Sequence, residues 1–180
     1  MKGMVFTEFL DMVENAWSME MVDTLIERAG VVGAYTSVGT YPHGEMLALV
    51  HALAEKTGTP APDLTRAFGK YLFGHFAQAY PRFFRGMTGS MEFLSSIEGI
   101  IHTDVRKLYP DAHLPTFDIQ REPDRLVMTY YSDRPLADLA HGLIEGCVHH
   151  FRDQVHVTRE EPMPGSGAQA RFIVTRMKPS

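Results

Sequence analysis

The stretch Glu98-Gly-Ile-Ile-His102-Thr-Asp-Val-Arg-Lys-Leu-Tyr-Pro110 closes a long helical pattern and stops it at a proline. Leu94, Ile97, Ile101, Val105 and Leu108 recur at steps of three and four, which makes one apolar stripe. His102 stands one residue past the middle of that stripe, about 100° further round a helix. An imidazole there borders the core without entering it, and it can reach sideways into a cleft or a cofactor pocket. The plain alternative is a boundary histidine bonded to a carbonyl or to water. Nothing else in this stretch decides between the two.

The second informative stretch is Tyr130-Tyr131-Ser132-Asp133-Arg134-Pro135. It follows a strand-like run, Leu126 to Tyr131, and precedes a helical pattern. Ser132 or Asp133 is placed to cap that helix, and Pro135 suits its first turn. Arg134 is then unusual, because a cation at a helix N-terminus opposes the helix dipole unless an anion lies between them. Tyr130, Ser132 and Arg134 alternate, so an extended segment puts them on one face. Two hydroxyls and a guanidinium on one face describe a receptor for a carboxylate or a phosphate. The alternative is a capped helix with a solvated arginine.

Taken together, a histidine on a helix followed further along by Tyr-x-Ser-x-Arg resembles the haem nitric oxide/oxygen binding (H-NOX) family. These are bacterial relatives of the haem domain of soluble guanylate cyclase. The resemblance runs through most of the chain. It includes Met1-Lys2-Gly3, Tyr35-Thr-Ser-Val-Gly39 with Thr40-Tyr-Pro42, Tyr71-Leu-Phe73, Arg134-Pro-Leu-Ala-Asp138 and Gly142-Leu-Ile-Glu-Gly146. It implies haem b as cofactor, His102 as the axial iron ligand, and Tyr130, Ser132 and Arg134 as the grip on the propionates. Pro115 matches a family proline that presses on the porphyrin and helps bend it; by itself it reads as a turn residue before a strand.

The resemblance also implies a distal pocket of Val5, Phe9, Leu72, Phe76, Leu139 and Leu143. Oxygen-binding members carry a tyrosine where Leu139 stands. Bound dioxygen is stabilised by a hydrogen-bond donor aimed at it, and none of these six side chains can donate one. The expectation is therefore a pocket that takes nitric oxide and carbon monoxide but not oxygen. Each of the six also reads as plain core. His75 falls between Leu72 and Phe76 but faces away from their stripe on a helix, which leaves it a minor alternative as a hidden donor.

The remaining composition sets bounds. The chain has 180 residues, 44% hydrophobic, with a net charge of −5 and scattered basic residues, so it shows no nucleic-acid footprint. Its apolar runs are too short to span a bilayer, and the start lacks a leader pattern. The single cysteine, Cys147, excludes an internal disulfide and suits a reducing cytoplasm. Cys147 with His141, His149, His150 and His156 matches no zinc signature.

Helical patterns run over Val5–Trp17, Met19–Ala29, Glu45–Lys56 and from a cap at Asp63 to Tyr80. A short aromatic segment, Pro81 to Arg85, and a joint precede the His102 helix. Strand patterns at Pro115–Gln120 and Leu126–Tyr131 flank a turn. A helix follows from Pro135 to about Arg152, then a second hairpin, Gln154–Arg159 and Ala168–Met177, around a mobile loop. The expected fold is α+β: one domain over 1–180, a helical lobe over about 1–110, then a small antiparallel sheet of about four strands with a packed helix, and haem between the lobes.

The function this implies is a non-catalytic sensor. Nitric oxide weakens the bond from iron to His102, the porphyrin flattens, the lobes shift, and a separate partner reads the change. The partner expected in trans is a histidine kinase or a cyclic-di-GMP synthase or phosphodiesterase. A haem-dependent redox enzyme would need a polar distal pocket. A haem-free module binding a small acid through Ser132 and Arg134 is the third reading.

Overall fold

Each amphipathic pattern becomes an element, and the turns fall where backbone chemistry places them. This computed structural model describes residues 1–177. Its helices are α1 (Gly3–Ala16), α2 (Met19–Ala29), α3 (His43–Thr57), α4 (Ala61–Ala79), α5 (Ser90–Ser95), α6 (His102–Leu108) and α7 (Ala137–Phe151). A 3-10 turn, Pro81–Phe84, follows α4, and a π-helical turn, Ile97–Ile101, joins α5 to α6. The strands are β1 (Thr116–Arg121), β2 (Arg125–Tyr131), β3 (Val155–Glu160) and β4 (Ala170–Arg176). Ser18 caps α2 by accepting from Met21 N–H at 3.3 Å, and Gly30 ends it in the left-handed conformation at φ 64°.

The sheet has four strands in the order β1-β2-β4-β3, every neighbouring pair antiparallel. β1 and β3 are therefore its edges. Phe117 on β1 lies opposite Tyr130 on β2, and Tyr130 lies opposite Ala170 on β4. The fold is thus helical first and sheet-bearing second, as the sequence patterns predict.

Two apolar clusters fill the structure. One gathers α1 to α4 around Phe6, Phe9, Leu25, Leu49 and Phe68. The other packs Leu126, Met128, Phe172 and Val174 of the sheet under Ala140, Ile144 and Cys147 of α7. Leu143 touches both. So α7 lies on the sheet by one face and on α4 by another. The second contact is backbone to backbone: a Cβ on Gly142 would collide with the carbonyl of Arg66, and one on Gly146 would come 2.7 Å from the Cβ of Phe73. This gives Gly142-Leu-Ile-Glu-Gly146 a physical meaning. Beside it, Arg66 Nε donates to Glu145 Oε2 at 2.8 Å and Lys70 Nζ approaches the same oxygen at 2.9 Å. Burial alone would raise the Glu145 pKa, but the two cations outweigh it and hold the carboxyl down at about 2.

The opening residues close a separate junction. Gly3 N–H donates to Gly39 carbonyl at 2.8 Å, Lys2 Nζ lies 3.1 Å from Asp111 Oδ2, and Phe6 stacks on Tyr35 at 4.4 Å. The family-like blocks around Gly3 and Tyr35 are therefore neighbours in space.

Three local expectations are corrected. The helix leading to Pro110 is not continuous: His102 N–H bonds back to the Ile97 carbonyl, five residues earlier, across the π-helical turn. The wider turn shifts the phase of the stripe, so Leu94 is buried while Leu108 is 51% exposed. Neither Ser132 nor Asp133 caps α7. Ser132 Oγ instead accepts from Arg134 N–H at 3.0 Å, Leu136 N–H turns back to the Arg134 carbonyl, and the helix starts only at Ala137. Asp63 is no cap either, because α4 already begins at Ala61 and the Pro60 carbonyl accepts from Asp63 N–H at 3.0 Å.

Candidate functional site

His102 opens α6 immediately after the π-helical turn, with its side chain 12% exposed. Its Nδ1 lies 2.9 Å from Glu98 Oε1. The same oxygen accepts the backbone N–H of Phe117 at 2.9 Å. A carboxylate oxygen that already accepts one hydrogen bond makes Nδ1–H the donor, which leaves the Nε2 lone pair free. Nε2 has no hydrogen-bond partner among the described residues and is not sealed into the core. Burial lowers the pKa of His102 from its ordinary value, with the Glu98 carboxylate pulling the other way. The site therefore presents a neutral imidazole with one nitrogen anchored and one free, which is the form that ligates metals.

From His102 the aromatic contacts run toward the sheet. The imidazole centroid is 6.2 Å from the Phe117 ring, and Phe117 is 5.3 Å from Tyr130. Half-buried Pro115 precedes β1, two residues before Phe117. Tyr130 is fully buried on β2. Burial raises its pKa, while Ser132 and Arg134 pull it down. Ser132 sits just past β2 in a turn held by Gln169, whose Nε2 donates to the Ser132 carbonyl at 2.5 Å. The Arg134 guanidinium is half-buried, and no hydrogen bond or ion pair engages it among the described residues. It does not sit at a helix N-terminus, since α7 starts at Ala137, so the dipole argument for an anion there falls away. What remains is a cation without a counter-ion beside two hydroxyls.

Val5, Phe9, Leu72, Phe76, Leu139 and Leu143 belong to one apolar cluster contributed by α1, α4 and α7. Phe9 and Leu72 are buried, whereas Val5, Phe76, Leu139 and Leu143 are only half-buried, and Leu143 touches both clusters. His75 does not face this wall. Its Nδ1 lies 2.9 Å from Glu8 Oε2, which links α4 to α1. Glu8 is a buried carboxyl whose pKa burial raises and His75 lowers. The pattern of α1 carries no signal for that pairing.

The His/Cys group near the end of α7 does not come together. Among the described residues no three or more His, Cys, Asp or Glu side chains could hold a metal ion. Cys147 is buried toward Ser90, whose carbonyl lies 3.9 Å from Sγ, while His149, His150 and His156 are exposed.

The residues fit a haem. A flat apolar disc with two carboxylates at one edge needs an apolar slot, an axial donor and a cationic clamp. The free Nε2 of His102, the unpaired guanidinium of Arg134 and the half-buried apolar side chains are groups of these three kinds. No helix among the described residues is long and apolar enough to cross a membrane.

The comparisons point the same way. A family model described as Haem-NO-binding matches residues 2–159. The Fe(II) unliganded H-NOX protein from K. algicida superposes with a TM-score of 0.90 at 36% identity, covering 99% of this chain and 98% of that one. The H-NOX from Shewanella woodyi, solved in solution with IWP-051 in the Fe(II)CO state, gives 0.84 at 38% identity, covering 98% and 95%. An S. oneidensis H-NOX in the Fe(II)NO state gives 0.90 at 26% identity, covering 99% and 100%. No curated protein sequence matches.

Proposed function

This chain belongs to the haem-NO-binding (H-NOX) family of haem-based gas sensors, and on that premise we propose that it is a nitric oxide sensor without catalysis of its own, signalling to a separate partner. It works as one haem-binding domain over 1–180, with the cofactor, haem b, between a helical lobe of about 1–110 and a sheet lobe of about 111–180. The observation that carries this reading is His102, a half-buried imidazole with Nδ1 committed to Glu98 and Nε2 free.

Ferrous haem, when bound, supplies an iron that takes nitric oxide or carbon monoxide on one face and holds imidazole less firmly as nitric oxide binds. His102 is the axial ligand. Tyr130, Ser132 and Arg134 hold the propionates, each charge-assisted bond contributing about 1.5–3 kcal/mol. Pro115, half-buried just ahead of β1, would pack against the porphyrin. Val5, Phe9, Leu72, Phe76, Leu139 and Leu143 form the distal wall. None of them donates a hydrogen bond, so dioxygen gains no stabilisation there while nitric oxide and carbon monoxide are admitted.

The π-helical turn and α6 carry His102 and touch β1 through Glu98, while α7 grips both α4 and the sheet, so these are the elements that would respond to a change at the ligand. A gas drives such a response only through its different affinity for two states of the protein. A histidine kinase or a cyclic-di-GMP synthase or phosphodiesterase in the cytoplasm is the proposed reader.

The test is the absorption spectrum of the reduced protein without oxygen, after nitric oxide, and in air, for wild type and His102→Gly. Wild type should show a ferrous Soret band that shifts with nitric oxide and ignores air, and the variant should hold haem only when imidazole is added. Unchanged haem binding in His102→Gly would remove His102 from the ligand role. A stable oxygen complex in wild type would overturn the apolar distal wall.

A further inference from the structure

The π-helical turn is the only wide turn among the described residues, and it delivers one side chain to three partners. Glu98 stands inside it. Its Oε1 lies 2.9 Å from His102 Nδ1 and accepts the Phe117 N–H at 2.9 Å, and its Oε2 lies 3.7 Å from Arg106. Phe117 is on β1, an edge strand, and its N–H points away from β2. Edge-strand donors ordinarily go to water or to a chance partner. Here the donor goes to the carboxylate that also holds the imidazole.

We propose that Glu98 is the positioning residue for the axial ligand. Its carboxylate fixes Nε2 as the iron-facing nitrogen of His102, strengthens the iron–imidazole bond by drawing on the Nδ1 proton, and ties that bond to the sheet through Phe117. The proposal rests on His102 being the iron ligand. A carboxylate on the far nitrogen of a ligating histidine fixes its tautomer and orientation and makes it a stronger donor. The i,i+4 spacing brings Glu98 to His102, and the same carboxylate also reaches the β1 edge at Phe117. A change in the axial bond is therefore felt at the sheet edge through one side chain.

The test uses the haem-loaded, reduced full chain and Glu98→Gln, which keeps the size and removes the charge. Two quantities are read: the iron–imidazole stretching band by resonance Raman, and the rate of haem transfer to an excess of apomyoglobin. The band should move to lower frequency, and haem should leave about 10- to 100-fold faster. An unmoved band overturns the proposal, even if haem leaves faster, because a merely structural Glu98 would loosen the pocket without changing the bond. If Glu98→Gln does not load haem, Glu98→Asp keeps the anion one methylene further back. Its band should then be lowered as well, and an unshifted band overturns the proposal. Failure of the underlying reading looks different: His102→Gly would retain the wild-type axial spectrum.

Discussion

Glu145 offers the sharpest energetic test of the junction between α4 and α7. It is gripped by Arg66 and Lys70, which hold its pKa at about 2 against burial. Set against an ordinary 4.5, and at about 1.36 kcal/mol per tenfold, that corresponds to a ceiling of about 3.4 kcal/mol at neutral pH. The partners are open to water, with Arg66 41% and Lys70 53% exposed, so screening removes about half and leaves about 1.7 kcal/mol.

The sign follows from the lowered folded-state value. The contribution is whole above about pH 5 and is lost as pH falls toward 2. At pH 3.5 the same arithmetic leaves about 1 kcal/mol. Glu145→Gln keeps the shape and removes the charge. Urea unfolding of wild type and variant, followed by circular dichroism at pH 7 and pH 3.5, measures the gap between them. It should shrink by about 0.7 kcal/mol, or about two-fifths, on acidification. A gap that stays constant or widens with acid would show that the ion pairs are not its source.

Three further outcomes are expected. Leu139→Tyr puts a phenol on the distal wall, and a hydrogen bond worth about 1 kcal/mol should slow oxygen loss about fivefold, seen as an air-induced spectral change absent in wild type. Gly142→Ala forces a methyl against the Arg66 carbonyl and should cost about 1–3 kcal/mol in urea unfolding. Cys147 is fully buried, and burial pushes its thiol pKa up, so a thiol reagent should label it in urea but not in the folded protein.

The elements legible in the sequence are those whose signals are local. Phe9, Val13, Leu49, Leu53, Phe68 and Leu72 each lie in a helical period and end in one buried cluster. The strand-like runs Pro115 to Gln120 and Leu126 to Tyr131 on either side of the turn Arg121-Glu-Pro-Asp-Arg125 give the first hairpin. The spacing of Tyr130, Ser132 and Arg134 puts two hydroxyls and a guanidinium on one extended segment, and the structure places that segment at the end of β2. The reason offered for Arg134, a helix dipole, does not apply: the Ser132 hydroxyl spends itself on the Arg134 backbone and postpones the helix. A spacing argument assigns the wrong local cause when a turn and a cap draw on the same hydroxyl.

Other features were hidden because they belong to pairs of elements. Gly142 and Gly146 look like weak points in a helix until α4 lies against them, and then they are the condition for its approach. The π-helical turn leaves no trace in composition, because a wider turn changes the phase of a pattern without changing its residues. The sequence reading carried the stripe on to Leu108, which the structure puts on the surface. The same turn explains why Glu98 stood in the quoted stretch without a role. A glutamate four residues before a histidine is an ordinary helical neighbour. It acquires meaning only when β1 arrives with an unpaired edge N–H at Phe117 and the carboxylate holds both. Imidazole, π-helical turn and strand edge then share one carboxylate, which is the contact the Glu98→Gln test interrogates.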